Sequence, residues 1–258
     1  MRRSVMVLVL LALVQAVSFA GARTSNLTFD SLEDFSGIVV DAPYDVYITQ
    51  AGHTGVRVEC DGKLEQYVDI SVRGGILYIG IKNANIKNIE RYVNRNGYKL
   101  SAYVSVDDLE RLDASGVSKV YADGGLEVDE LDVSISGVSE FEGKISGKVL
   151  SLKLDGVSRF SCRAEFSSID ARIAGASRCG LEGLSDGIAA DISGASVLDA
   201  YSLECRDAKI YVSGASKAEV RPSKTISFDV SGVSSIKYPD GVDIESMSVT
   251  GMSVVKTF

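Results

Sequence analysis

Along the last two-thirds of the chain, apolar and polar residues alternate in short runs, and each run is closed by the same kind of tripeptide. Leu131, Val133 and Ile135 alternate with Asp132, Ser134 and Ser136 before Gly137. Leu150, Leu152 and Leu154 do the same before Gly156, as do Ile226, Phe228 and Val230 before Gly232. A period of two marks a strand with one buried face. Counted from each glycine, positions −6, −4 and −2 are apolar, and the inward parity resumes at +4 and +6. Position +4 reads Val120, Phe141, Phe160, Cys179, Leu198, Ala218, Ile236 and Val255.

The tripeptide is Gly-[Val/Ala/Met]-Ser, and its eight copies begin at Gly116, Gly137, Gly156, Gly175, Gly194, Gly214, Gly232 and Gly251. The gaps are 21, 19, 19, 19, 20, 18 and 19 residues. So regular a period makes each unit one structural step that buries its apolar face against its neighbours. A leucine-rich repeat would need a Leu-x-x-Leu-x-Leu frame that is missing, and a propeller blade would need two units that differ. The expected fold is all-β: a parallel, right-handed β-helix or solenoid with about 19 residues per coil, eight regular coils and degenerate coils before them. At about 4.8 Å per coil the regular part spans roughly 34 Å.

The glycine supplies a corner that tolerates φ > 0 or close backbone approach. The serines, Ser118 through Ser253, then stack as a column of hydroxyls that satisfies corner backbone groups. A row of nucleophiles is the competing reading, but nucleophilic serine needs an adjacent base and the only histidine is His53. The repeat therefore predicts structure and no catalytic residue.

Earlier in the chain, Ile38, Val40, Val46 and Ile48 fit the same register if Ala42 takes the glycine's place, and a second degenerate coil is expected around Val68, Ile70, Val72, Ile76 and Ile79. The organisation expected is a leader over residues 1–22, degenerate coils with one insertion over 23–105, and regular coils over 106–258, the last two forming one continuous domain. The insertion, 83–99, holds five asparagines and a basic stripe of Lys87, Arg91, Arg95 and Lys99 at helical spacing. It reads either as a binding loop or as a solvated excursion over the solenoid's end. At the other end, Val254, Val255 and Phe258 leave an apolar last coil that a partner or a folded-back tail must cover.

Arg2 and Arg3, the apolar run Val5–Val14 and the small residues Ala20 and Ala22 read as a secretory signal, with cleavage near one of those alanines. A permanent anchor is disfavoured because Gln15, Ser18 and Gly21 interrupt the apolar stretch. Removing the leader takes two of the 27 basic residues and none of the 35 acidic ones, moving the net charge from −8 to about −10. That balance argues against nucleic acid and anionic membranes as partners, and places the protein in the periplasm or at the cell surface. Cys162 and Cys179 occupy inward columns, where they pack as free thiols or meet across adjacent coils. No cysteine or histidine spacing suggests a metal, and no cofactor motif is present.

One outward column draws attention. Position −3 reads Lys153, Arg172, Asp191, Tyr211 and Asp229, flanked at +3 by Arg159 and Arg178. Such a column either holds a sugar or an acidic polymer, or stabilises the sheet through opposite charges on neighbouring strands.

The run from Phe35 to Gln50 (FSGIVVDAPYDVYITQ), Gly-Gly-Ile-Leu-Tyr-Ile at 74–79 and the repeated Ser-Gly-[Val/Ala]-Ser units together resemble the head-GIN domain family, exported proteins of Bacteroidetes that carry an adhesin label. The resemblance covers about residues 30–258. It implies a β-helix-like fold and export, and it offers no catalytic residues to carry over. Many members look lipidated, whereas no cysteine stands near the cleavage region here. Asp30-Ser31-Leu32 is similar to a short O-glycosylation motif of that phylum. The function expected is a non-enzymatic interaction protein, adhesin-like or an envelope scaffold, with a glycan or a cell-envelope protein as partner. The alternatives are a β-helix that binds or cleaves polysaccharide, and a solenoid that self-assembles end to end.

Overall fold

The computed structural model describes residues 24–29, 31–82 and 100–258. Among them the regular structure is strand throughout, apart from one short 3-10 turn, Glu65–Tyr67. The chain enters in β1 (Thr24–Phe29), then builds β2 (Gly37–Asp41), β3 (Asp45–Gln50), β4 (Gly55–Asp61), β5 (Val68–Arg73), β6 (Ile76–Ile81) and β7 (Leu100–Val106). The regular part follows as β8 (Arg111–Ser115), β9 (Lys119–Glu127), β10 (Glu130–Ile135), β11 (Glu140–Leu154), β12 (Arg159–Ile173), β13 (Arg178–Ile192), β14 (Val197–Val212), β15 (Lys217–Val230), β16 (Ser235–Tyr238), β17 (Asp243–Val249) and β18 (Val254–Thr257). From β8 onward every pairing is parallel and joins a strand to its counterpart one coil away. The fold is a parallel β-solenoid with one repeat per coil.

In-register stacking turns each repeat position into a column. The +4 column is at most 1% exposed over Val120, Phe141, Phe160, Cys179, Leu198, Ala218 and Ile236, and opens only at its last member, Val255. Bulk is shared along it: Phe141 and Phe160 stack with centroids 4.8 Å apart, next to the smaller Cys179. The −2 column, from Val40 and Ala114 through Ile135 and Leu154 to Val230, is equally closed.

The Gly-x-Ser corners hold the coils in this register. Each glycine has φ between +72° and +79° from Gly116 to Gly251. The N–H of the middle residue donates to the glycine carbonyl one coil back, as from Ala176 to Gly156 and from Ala195 to Gly175, both at 2.8 Å. Inside the corner, the N–H of Ser177 donates to Ser196 Oγ at 3.4 Å, and that of Ser196 to Ser216 Oγ at 3.3 Å. The hydroxyls in turn donate to corner carbonyls: Ser158 to Asp155 at 2.6 Å, Ser196 to Gly175 at 3.3 Å. Ser118 through Ser234 are at most 3% exposed, and among the described residues every buried side-chain nitrogen or oxygen has a partner. The serine column is a hydroxyl ladder.

The N-terminal part differs from a simple run of degenerate coils. Ala42 does stand in the glycine's column, since Asp41 pairs with Ser115 immediately before Gly116. The expected second coil is instead split. Val68–Arg73 forms an antiparallel hairpin with Ile76–Ile81 across Gly74 and Gly75, at φ +59° and +76°, so that Ile70 and Val72 lie beside the coil. The coil proper consists of β6 on β2 and β7 on β3. The coil made of β2 and β3 therefore lies between that layer and β8–β9, out of chain order. Antiparallel β1, β4 and β5 close this end. The basic insertion 83–99 lies outside the described residues. In sequence it falls between β6 and β7.

The irregular gaps are absorbed away from the corners. In the 21-residue unit, Asp123, Gly124 and Gly125 face the single Lys144 of the next coil. In the 20-residue unit, Ala200 and Tyr201 face the single Leu181. Both are bulges, each pushing chain outward from the sheet.

Corner geometry yields a graded prediction. A Cβ on Gly175 would sit 2.5 Å from the Gly156 carbonyl oxygen, whereas one on Gly241, at φ +80°, would meet nothing within 4 Å. Gly241→Ala carries only the left-handed strain, about 1–2 kcal/mol. Gly175→Ala adds a backbone clash and is expected to cost at least about 2 kcal/mol more, in the range of severe core substitutions. Urea midpoints of the two variants check this; equal losses would rule out close corner packing as the reason for the glycine.

Candidate functional site

Parallel stacking sets the outward residues in columns as strict as the inward ones. Lys153, Arg172, Asp191, Tyr211 and Asp229 are successive register partners on β11 to β15. Lys153 and Arg172 line an open depression of about 410 Å³ with Arg111, Asp113, Asp132 and Asp170. Asp191, Tyr211 and Asp229 continue the column beyond it. Arg172 and Asp191 are direct neighbours, yet the ion pairs within 4.0 Å among the described residues are formed elsewhere, by Arg111 with Asp113 at 2.6 Å and Arg159 with Glu140 at 3.4 Å, for example. Tyr211 is 46% exposed, with Lys209 Nζ 5.5 Å from its ring centre. Lys87, Arg91 and Arg95 lie outside the described residues.

A second concavity, about 440 Å³, lies on a different part of the surface, along the +5 and +7 positions. Glu142, Ser161, Gly180 and Asp199 form one row and Asp123, Lys144, Arg163 and Glu182 the next. The two bulges stand at its ends, marked by Asp123 of the one and by Ser202, just past the other. A third depression of about 410 Å³, lined by Gln50, Glu127 and Glu165 among others, shares Lys144 and Arg163 with it. The gap lengths of 21 and 20 were the available sequence signal for this trough, because they mark where the chain must bulge.

Beside the trough runs an aromatic ladder. Tyr103, Tyr47 and Tyr121 stack at 5.1 Å per step, and Arg57 covers the Tyr103 face with its guanidinium carbon 4.1 Å from the ring centre. The other end, Tyr121, is the register partner of Glu142 in the trough. Burial raises the phenol pKa of Tyr47 and Tyr121, and the neighbouring Asp45 adds to the effect.

Another outward feature comes from the repeat itself. The middle residues of the tripeptides form an apolar ridge, with Val138 at 59%, Val157 at 61%, Val233 at 60% and Met252 at 77% exposed. At the C-terminal end, Ile244, Met247, Val249 and Val254 are exposed on the last coil, while Val255 is half-buried against the core. Phe258 folds back onto Tyr201, ring centres 4.9 Å apart.

Among the described residues no group of three or more histidine, cysteine or acidic side chains is placed to hold a metal, and no helix is long and apolar enough to cross a membrane.

The family described as "Putative auto-transporter adhesin, head GIN domain" matches residues 34–240, most of the chain. The protein belongs to this head GIN domain family. Among solved structures it is similar to a "putative adhesin" of Parabacteroides distasonis ATCC 8503, at 20% identity and TM-score 0.81 over 92% of this chain and 98% of that one. A "putative adhesin" of Parabacteroides merdae ATCC 43184 matches at 20% identity and TM-score 0.79, over 91% and 95%. A "putative lipid binding protein" of P. distasonis matches at 16% identity and TM-score 0.76, over 91% and 96%. At these identities the likeness establishes the shared solenoid fold. No curated protein matches the chain.

The four cysteines of this head GIN domain protein are free and buried. Burial pushes the thiols of Cys162 and Cys205 up to about 12 and that of Cys60 to about 11, and raises Cys179 further. A thiol whose folded pKa exceeds its unfolded value stabilises the fold fully below the unfolded pKa, and that contribution disappears as pH climbs to the folded one. The urea midpoint is therefore expected to decline from about pH 9 towards about pH 12. Replacing Cys60, Cys162 and Cys205 by alanine should flatten that decline, and an unchanged slope would assign it to other groups.

Proposed function

We propose that this head GIN domain protein is an exported, non-enzymatic, adhesin-like module that binds saccharides of a cell surface through the outward columns of its β faces. The observation that carries this reading is the pair of mixed-charge depressions, each built from side chains fixed one coil apart on rigid parallel strands. Membership of an adhesin-described family supports it. Sites on rigid strands hold donors and acceptors at constant spacing, which suits repeated hydroxyl-bearing units. Binding fits the site better than cleavage: the carboxylates lie in open, water-accessible rows, whereas glycoside hydrolysis works between two carboxyls that enclose the scissile bond.

A glycan array probed with the wild type and with a variant carrying Lys144, Lys153, Arg163 and Arg172 all changed to alanine tests the reading. Wild-type binding to a subset of glycans, lost in the variant, is the expected result. A blank array for the wild type would sink it.

A second reading, association through the ends, is favoured by the exposed Ile244, Met247, Val249 and Val254 on a coil whose strands pair on one side only. Antiparallel strands close the opposite end, so such contacts join two C-terminal ends and stop at a dimer. Light scattering is then expected to show a concentration-dependent dimer that Met247→Lys abolishes; a monomer at all concentrations, or open-ended polymers, would eliminate it.

A further inference from the structure

We infer that the trough between the two bulges is an acidic-saccharide site, with Lys144 and Arg163 holding a carboxylate and the surrounding acidic side chains holding hydroxyls. This rests on the saccharide-binding reading and gives it a place and a ligand class.

Lys144 and Arg163 are direct register partners on adjacent coils, so their backbones are about 4.8 Å apart. Like charges directly opposite one another destabilise a sheet. Neither side chain takes part in an ion pair; the six within 4.0 Å among the described residues involve other groups. Both line the 440 Å³ trough and the adjoining depression, so one anionic group seated between them would be reached by both cations.

The surroundings decide which anion. Asp123, Glu142, Glu182 and Asp199 stand around the cation pair along the same trough. A phosphate, a sulfated polymer or an acidic peptide would bring further negative charge against these carboxylates. A sugar residue with a single carboxylate puts that group on the cations and presents hydroxyl donors to the carboxylates, which as acceptors take up several such donors. Midway along the trough the lining includes Ser161 and Gly180, small residues that leave room for a ring, and the bulges set its ends about 19 Å apart, four coil steps. That length accommodates a short oligosaccharide with one acidic residue among neutral ones. Tyr121, next to Glu142, presents an aromatic side chain where a neutral ring would continue.

Calorimetric titration with sialyllactose, with lactose and with inorganic phosphate tests this. Sialyllactose should bind, with lactose at least about tenfold weaker, as the loss of one charge-assisted pair implies. Phosphate should neither bind comparably nor compete. Lys144→Ala with Arg163→Ala should lower sialyllactose affinity at least about tenfold. Lys148→Ala with Arg206→Ala, two exposed cations that line none of the depressions, should leave it unchanged. Ser161→Trp, which fills the middle of the trough without removing a charge, should block binding while circular dichroism reports an intact fold. Equal binding of lactose, or phosphate binding as tight as sialyllactose, would overturn the acidic-saccharide assignment. So would an equal loss caused by the Lys148/Arg206 pair. In the first and last cases the broader saccharide reading survives, whereas a blank glycan array removes both.

Discussion

Everything in this solenoid depends on how closely the corners approach one another. At each corner the glycine carbonyl of one coil accepts the N–H of the next coil's middle residue, at 2.8 Å along the whole stack. The position from which a β-carbon would project lies against that same backbone, 2.5 Å from oxygen in the case of Gly175. Positive φ alone would admit asparagine or aspartate here. From Gly137 to Gly251 the close approach admits only glycine, whereas Gly116, stacked on Ala42, has its nearest neighbour 3.8 Å from such a carbon. Once the corners are fixed, coils cannot slide, and a strand that slipped by one residue would turn its buried face to water.

Fixed corners also determine where irregularity goes. The repeat varies from 18 to 21 residues, and a corner that tolerates no change sends every extra residue to the middle of the coil. Asp123–Gly125 and Ala200–Tyr201 bulge there, and the trough lies between them. The same rigidity that makes the fold monotonous thus gives it its relief. The serine ladder acts alongside, accepting from buried corner amides while its hydroxyls donate to corner carbonyls, and among the described residues no buried side-chain nitrogen or oxygen lacks a partner.

Much of this was legible in the residues because one local rule recurs in every coil. The +4 column from Val120 to Ile236, the corner glycines and the serine column all follow from position within the repeat. The N-terminal layer was not legible in the same way. Alternation in Val68, Ile70 and Val72 establishes a half-buried strand but has the same period whether its partner runs parallel or antiparallel. Gly74 and Gly75 were the local sign of the hairpin, and a two-residue loop cannot connect parallel strands. That β2–β3 lies out of chain order comes from long-range pairing, which no periodicity records. The outward relief was half legible. Lys153 and Arg172 do share a depression, whereas the Lys144–Arg163 trough is visible only when the gap lengths are read as bulges.

Stacking like positions on like positions gives a solenoid a choice that an ordinary sheet lacks. A column can repeat one side chain, as the tyrosine ladder of Tyr103, Tyr47 and Tyr121 does at 5.1 Å per step, or it can alternate charges so that each coil neutralises the next. Lys144 over Arg163 and Lys153 over Arg172 do neither. Two cations sit in register, each pair on β11 and β12, in the middle of an acidic protein with carboxylates close by. At the second pair, whose outer neighbours are Ser134 and Asp191, a sheet under no demand but stability would exchange Lys153 for an acid and gain a cross-strand attraction. Local rules broken at surface positions, within a fold that obeys them elsewhere, are where function is to be sought. Here the break takes the form of positive charge, fixed by the corners and framed by the bulges.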